Sequence, residues 1–108
     1  GLGYNINLPL AAGSPVSDWF AALDTALAAL RAYGPEVLIV SLGVDTYAGD
    51  PISHFGLLRQ HFHELGQRLA AFGRPTLLVQ EGGYATADVG LNVRAVLDGF
   101  DGLALAPD

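Results

Sequence analysis

Two stretches, YGPEVLIVSLGVD (residues 33–45) and FGRPTLLVQEGGY (residues 72–84), share one pattern and decide the fold. Each has a glycine, a proline, an apolar run and then a loop that contains glycine. Gly34 and Gly73 stand where a helix C′ residue is common, and a proline shortly after them cannot continue the helix. Near-continuous runs of Val, Ile and Leu are typical of parallel strands that are buried on both faces. We therefore predict two parallel strands, each preceded by the end of a helix.

The segments around these strands have apolar residues at helical spacing. The three predicted helices carry the stripes Phe20, Leu23, Leu27 and Leu30; Leu58, Phe62, Leu65, Leu69 and Phe72; and Val89, Val93, Val96 and Leu97. The opening YNINLPL (residues 4–10) alternates enough to predict a further strand that ends at Pro9. The predicted order is therefore β-α-β-α-β-α, a parallel α/β layer with right-handed crossovers.

The composition suggests a piece of a larger protein. The 108 residues suffice for one domain, yet 51% are hydrophobic and only 15% are charged. That is apolar for a free-standing domain of this size, which must leave much of its surface to water. Methionine is absent, and three strands would leave two open sheet edges. We expect some of the apolar surface to pack against neighbours outside the chain.

The charge and the missing cysteines exclude several function classes. The net charge is −6 and the five basic residues are scattered arginines, which disfavours a nucleic-acid partner. An acidic balance suits a cationic substrate. Without cysteine there is no disulfide framework, thiolate zinc site or cysteine nucleophile. No apolar run is long enough to span a membrane and no signal peptide opens the chain, so we expect a soluble, cytoplasmic protein with no membrane partner.

Asp45 and Tyr84 each follow one of the two strands. Ligands of open α/β sheets bind beyond the carboxyl ends of the strands, so both residues are expected at the ligand-binding edge. Asp45 could cap a turn, or it could ligate a metal from a rigid strand end. Tyr84 could pack over a Gly-Gly turn, or its hydroxyl could reach a ligand. Asp50 could supply a second carboxylate, but GDP is an ordinary turn sequence and we assign it to a turn.

The three histidines do not predict a metal centre. Residues two apart on a helix point about 200° apart, so His61 and His63 cannot chelate one ion together. We assign these two and His54 to structural or surface positions. The opening GLGYNI has Ile6 where a dinucleotide fingerprint needs its third glycine, and no nucleophile elbow or P-loop is present.

Three segments carry a family resemblance. GYNINLPL (3–10), PEVLIVSLGVDTYAGDPIS (35–53) and EGGYATADVGLNVRAVLDG (81–99) resemble, in order and spacing, the C-terminal third of the zinc-dependent deacetylases. This family comprises the histone deacetylases and the acetylpolyamine amidohydrolases. GVDTYAGDPIS is more similar to acetylpolyamine amidohydrolases and their bacterial relatives than to the nuclear histone enzymes.

The resemblance implies a fold and a set of site residues. The fold is the three-layer parallel sheet of the arginase/deacetylase type, with only a C-terminal β-α-β-α-β-α portion in this single fragment, residues 1–108. Asp45 matches a zinc ligand and Tyr84 the tyrosine that stabilises the transition state. Gly82 and Gly83 match positions that line the acyl-lysine tunnel, and Ile52 matches an apolar position at its mouth. The family's Asp-x-His ligands, its tandem histidines and most ligands of a monovalent cation belong to earlier segments.

The function implied by the resemblance is zinc-dependent removal of acetyl groups from lysine side chains or polyamines. The substrate would be a small cationic acetylated amine or acetyl-lysine. The fragment's neighbour would be the N-terminal part of the same domain, and the fragment alone is expected to be inactive. The alternative is a non-catalytic α/β interaction module derived from the same fold, although a decayed site need not keep both Asp45 and Tyr84. An arginase-like ureohydrolase is disfavoured, because its Asp-x-Asp clusters are absent. The sequence leaves the oligomeric state open, a homo-oligomer included.

Overall fold

The computed structural model describes residues Gly1–Asp108, which form three helices and two strands. In chain order the elements are α1 (Val16–Tyr33), β1 (Leu38–Leu42), α2 (Arg59–Ala71), β2 (Thr76–Gln80) and α3 (Val89–Phe100). Helix α1 ends where Gly34 adopts a left-handed conformation, with φ 76°, and donates its N–H to the carbonyl of Leu30. Gly73, also with φ 76°, follows the end of α2 in the same way. Both helix ends are as predicted, since only glycine adopts this conformation without steric cost.

The two strands are parallel neighbours with α2 as their crossover. Their register runs from Leu38 opposite Thr76 to Leu42 opposite Gln80. Because side chains alternate along a strand, Leu38 and Leu42 face the core while Ile39 faces away from it. The core cluster joins this inner face to α2, α3 and the loop after β1, and its buried members are Leu38, Leu42, Val44, Leu57, Phe62, Leu65, Leu69, Phe72, Ala95 and Val96.

The predicted opening strand does not form. Residues 4–10 adopt no strand and pair with no other segment, and the first nine residues are exposed. A strand needs a partner for its backbone N–H and carbonyl groups, and alternation alone supplies none. The segment contacts the rest of the chain through Tyr4, whose ring packs edge-on against Tyr33 with the ring centroids 6.1 Å apart. The observed order is therefore α-β-α-β-α.

The strands are buried on one face only, although the apolar runs predicted burial on both. The outer face carries Ile39, Leu77 and Val79, whose exposed fractions are 69%, 55% and 47%. Helices cover only the opposite side, so the chain forms two of the three expected layers. Part of the apolar surface that the composition predicts for packing against neighbours lies on this outer face, and part lies on the opening segment that contains Leu2 and Ile6.

Two glycines bring α2 and α3 into backbone contact. A side-chain carbon at Gly66 would overlap the carbonyl group of Val96, and one at Gly99 would overlap the carbonyl group of His63. The close approach packs both helices against the inner face of the sheet. It thereby sets the position of the loop that joins β2 to α3.

Helix α1 packs beside α2 through Arg68 and through apolar side chains, such as Leu23 and Leu27, that contact the core cluster. The Arg68 guanidinium donates to both carboxylate oxygens of Asp24 at 2.6 Å and also binds Glu64. Its Cζ atom lies 4.3 Å from the centroid of the Phe20 ring, which is buried. No helix combines the length and the hydropathy needed to cross a membrane.

Candidate active site at the strand ends

The carboxyl ends of β1 and β2 meet at one edge of the sheet, as predicted. Beyond the last paired residues, Glu81 donates its N–H to the carbonyl of Leu42 at 3.0 Å. Val44 then donates its N–H to the carbonyl of Gly82 at 2.8 Å. These two bonds continue the strand pairing past the end of the sheet. The loop that holds Asp45 and the loop that holds Tyr84 are therefore joined along their backbones.

The Asp45 carboxylate occupies the space that a side chain at Gly82 would need. A side-chain carbon built at Gly82 would overlap this carboxylate, and one built at Gly43 would lie 3.0 Å from its Oδ1 atom. Gly83 has φ 147°, and a side chain there would come within 2.7 Å of the Val44 side chain. The glycines thus let the second loop lie directly against the half-buried carboxylate.

A second acidic side chain lies close to the same point. Glu81 accepts a hydrogen bond from the Ser41 hydroxyl at 3.0 Å and another from the N–H of Gly82 at 3.0 Å. Its Oε1 atom lies 3.7 Å from the position of a side-chain carbon at Gly43. The hydrogen bonds fix this carboxylate beside the strand ends.

Tyr84 and Ile52 are held by a third carboxylate, that of Asp50. Asp50 accepts from the Ile52 N–H at 3.0 Å through Oδ1, and through Oδ2 from the N–H groups of Tyr84 at 2.7 Å and Ala85 at 3.2 Å. Burial raises the pKa of Asp50, but the N–H groups of Tyr84, Ile52 and Ala85 together outweigh burial and hold the pKa below its ordinary value. The side chains of Ile52 and Tyr84 remain 57% and 54% exposed, so both are accessible to a ligand.

The sequence prediction for Asp50 was incomplete. The residue does form the predicted turn, through its bond to Ile52. Its second oxygen, however, binds a loop that lies 34 residues further along the chain. The tripeptide GDP carries no sign of that contact, because the contact depends on the register of the two strands.

The three histidines make separate contacts, and the backbone carbonyl of His54 accepts a hydrogen bond from the N–H of Gly13 at 2.7 Å. His61 accepts a hydrogen bond from the N–H of Leu58 through Nδ1 at 2.8 Å, at the start of α2. The Nε2 atom of His63 lies 2.8 Å from the carbonyl oxygen of Leu103, near the end of the chain. No group of three or more His, Asp or Glu side chains is placed to hold a metal ion. Asp45, the one residue predicted as a zinc ligand, offers a half-buried carboxylate just beyond the end of β1.

The chain matches known proteins over nearly its whole length. A profile of the histone deacetylase domain matches residues 1–100. Acetylpolyamine amidohydrolase 2 of Pseudomonas aeruginosa is 48% identical over 103 residues, which are 95% of this chain and 30% of that protein. The acetylpolyamine amidohydrolase of Mycoplana ramosa is 45% identical over 94% of this chain and 30% of its own length.

A solved structure has the same fold. The crystal structure of acetylpolyamine aminohydrolase from Burkholderia pseudomallei superposes with a TM-score of 0.91 at 42% identity, over 95% of this chain and 30% of that chain. The predicted α/β fold class of the arginase/deacetylase type is confirmed. The chain spans about 30% of the length of these relatives.

Proposed function

The chain belongs to the histone deacetylase domain family, and on this premise we propose that it forms part of a zinc-dependent amidohydrolase that removes acetyl groups from small acetylated amines. One observation carries the proposal. The loops after the two strands are joined by backbone hydrogen bonds, with the Asp45 carboxylate against Gly82 and Tyr84 two residues beyond. A carboxylate and a tyrosine are thereby brought to adjoining loops on the edge where α/β sheets bind ligands.

In this proposal Asp45 supplies one of the protein ligands of zinc. A carboxylate at the end of a paired strand is a well-positioned ligand, because the backbone of both loops is hydrogen-bonded. Catalytic zinc sites use three protein ligands, so the other two belong to residues outside this chain. When bound, zinc would act as a Lewis acid toward the amide carbonyl and lower the pKa of a bound water to about 7.

Tyr84 has the role of hydrogen-bond donor to the carbonyl oxygen of the substrate. Negative charge grows on this oxygen as the amide is attacked, so a donor placed there binds the transition state more strongly than the substrate. The exposed ring of Tyr84 leaves the hydroxyl free to face a ligand. Gly82 and Gly83 let the backbone approach the acyl chain closely, and the exposed Ile52 offers an apolar contact at the mouth of the tunnel.

The substrate class is proposed as acetylated polyamines, with acetyl-lysine as the related alternative. The net charge of −6 favours a cationic amine over an anionic substrate. Two relatives named acetylpolyamine amidohydrolase are 48% and 45% identical to the chain. The outer face of Ile39, Leu77 and Val79 is proposed to pack against the N-terminal part of the same domain, which completes the third layer.

The test uses the full-length, zinc-loaded protein with a monoacetylated diamine and an acetyl-lysine peptide as substrates. Tyr84→Phe should keep zinc and substrate binding and lower kcat by about 100- to 1000-fold, since one donor to a developing oxyanion is lost. Asp45→Ala should lose zinc while the circular dichroism spectrum stays native. A Tyr84→Phe variant with near wild-type turnover, together with full zinc occupancy in Asp45→Ala, would instead favour the non-catalytic interaction module.

A further inference from the structure

Asp50 is the one charged residue that the fold buries. Its exposed fraction is 7%, and none of the ion pairs of the chain includes it. A buried carboxylate without a cationic partner is costly unless hydrogen bonds satisfy its oxygens. Three backbone N–H groups satisfy the two oxygens here. The buried carboxylate therefore holds the backbone of these three residues in one arrangement.

The two oxygens of Asp50 bind different loops. Oδ1 accepts from Ile52, two residues away, and this bond closes the local turn. Oδ2 accepts from Tyr84 and Ala85, which lie 34 and 35 residues away. The local turn needs only one of the oxygens. We call the pair of bonds from Tyr84 and Ala85 to Oδ2 the Asp50 clasp.

The clasp holds the segment between the glycine pair and the start of α3, where the carbonyl of Ala85 also accepts from the N–H groups of Asp88 and Val89. Tyr84 follows Gly82 and Gly83, and glycine leaves the backbone the widest range of conformations. Gly82 is held by the bond that its carbonyl accepts from Val44, and the N–H groups of Tyr84 and Ala85 bond to Asp50. Hydrogen bonds to an ionised group are roughly twice as strong as those between neutral groups. The clasp therefore determines where the backbone of Tyr84 lies.

We propose that Asp50 is a positioning residue for Tyr84, which holds the tyrosine backbone so that its hydroxyl meets the carbonyl oxygen of the substrate. The same carboxylate binds the N–H of Ile52, so it also links the backbones of the two residues assigned to the substrate side. This inference rests on the proposed function of Tyr84. The carboxylate acts through the backbone and touches neither substrate nor metal.

The deciding variant is Asp50→Asn in the full-length, zinc-loaded protein. An asparagine has one acceptor oxygen, so its amide group must face either Ile52 or the N–H groups of the clasp. Zinc content should stay at the wild-type level, and KM for a monoacetylated diamine should change little. The value of kcat should fall by about 10- to 100-fold, because a small misplacement of a reacting group has effects of this size.

The matched control is Ser53→Ala. Ser53 lies in the same turn and makes hydrogen bonds only to Phe55 through its side chain, with none to the tyrosine loop. Its removal loosens the turn without touching the clasp, and kcat should stay within about 3-fold of wild type, as for most substitutions away from a site. An equal loss of kcat in both variants would overturn the proposal. So would an Asp50→Asn protein that fails to fold while Ser53→Ala folds, because Asp50 would then be a determinant of folding.

Two further measurements separate this inference from the proposed function. In a Tyr84→Phe background, Asp50→Asn should lower kcat little further, because the hydroxyl that it positions is gone. A full multiplicative loss would overturn the positioning role. Hydrogen exchange of the Tyr84 and Ala85 amides should be slow in the wild type and fast in Asp50→Asn, while fast exchange in the wild type would show that the clasp is absent. The exchange result holds even if Tyr84→Phe proves fully active.

Discussion

At the scale of single residues, the position of the Asp45 carboxylate leaves no room for a side chain at Gly82. Gly82→Ala should reduce zinc occupancy of the full-length protein, because the new methyl group would displace the carboxylate that it overlaps. Metal content of the purified variant measures this directly. Gly56→Ala is the control, since no atom lies within 4 Å of a side-chain carbon there. Equal zinc content in both variants would mean that the Asp45 carboxylate is not a ligand, or that it moves aside without effect.

Asp50 also makes the free energy of unfolding depend on pH. Its pKa is lowered in the folded chain, where the N–H groups of Tyr84, Ile52 and Ala85 outweigh the effect of burial. Its stabilising contribution is therefore complete above the ordinary carboxyl pKa of about 4 and is lost as the pH falls through the lowered folded value. The difference in urea midpoint between wild type and Asp50→Asn should be constant from neutral pH to about pH 5 and narrow in stronger acid. A difference that narrows between pH 6 and 8 would assign the effect to another group.

At the scale of helices and strands, the contact of α2 with α3 depends on two glycines. Gly66→Ala or Gly99→Ala should destabilise the protein by about 1–3 kcal/mol, because the methyl group would overlap backbone that cannot move independently. Gly90→Ala in α3 meets open space and should be neutral or stabilising by about 0.5 kcal/mol. Urea unfolding of the three variants gives the comparison. Similar urea midpoints for Gly66→Ala and Gly90→Ala would show that the two helices can move apart without loss of stability.

The helical stripes predicted many of the buried positions but not all of them, since Leu97, predicted on the α3 stripe, is 46% exposed. Phe62, Leu65, Leu69 and Phe72 are buried as the spacing predicts. Leu58 was predicted on the same stripe but is 45% exposed, and Leu57 is fully buried in its place. The physical reason is that α2 begins at Arg59, so Leu58 has extended backbone with φ −107° and ψ 170° and does not follow the helical period.

At the scale of the whole molecule, the chain holds only part of the proposed metal site. Residues 1–108 alone should bind zinc weakly and show no deacetylase activity, because Asp45 is one ligand and a catalytic site needs three. Calorimetric titration of the isolated chain with zinc measures the affinity, and the monoacetylated diamine assay measures activity. Asp45→Ala in the isolated chain should then change the titration little. A tight one-to-one complex would mean that the histidines do serve as ligands.

The sequence by itself determined the parallel strands, the helices around them, the glycine helix ends and the edge at which Asp45 and Tyr84 lie. Each of these follows from local periodicity or from the conformational range of glycine and proline, which act over a few residues. Only the tertiary structure decided that residues 4–10 form no strand, that one face of the sheet stays open, and that Asp50 binds Tyr84. A strand needs a partner, a face needs a covering element, and a hydrogen bond across 34 residues needs the register of two strands. These are properties of the assembled chain, because each depends on groups that are far apart in the sequence.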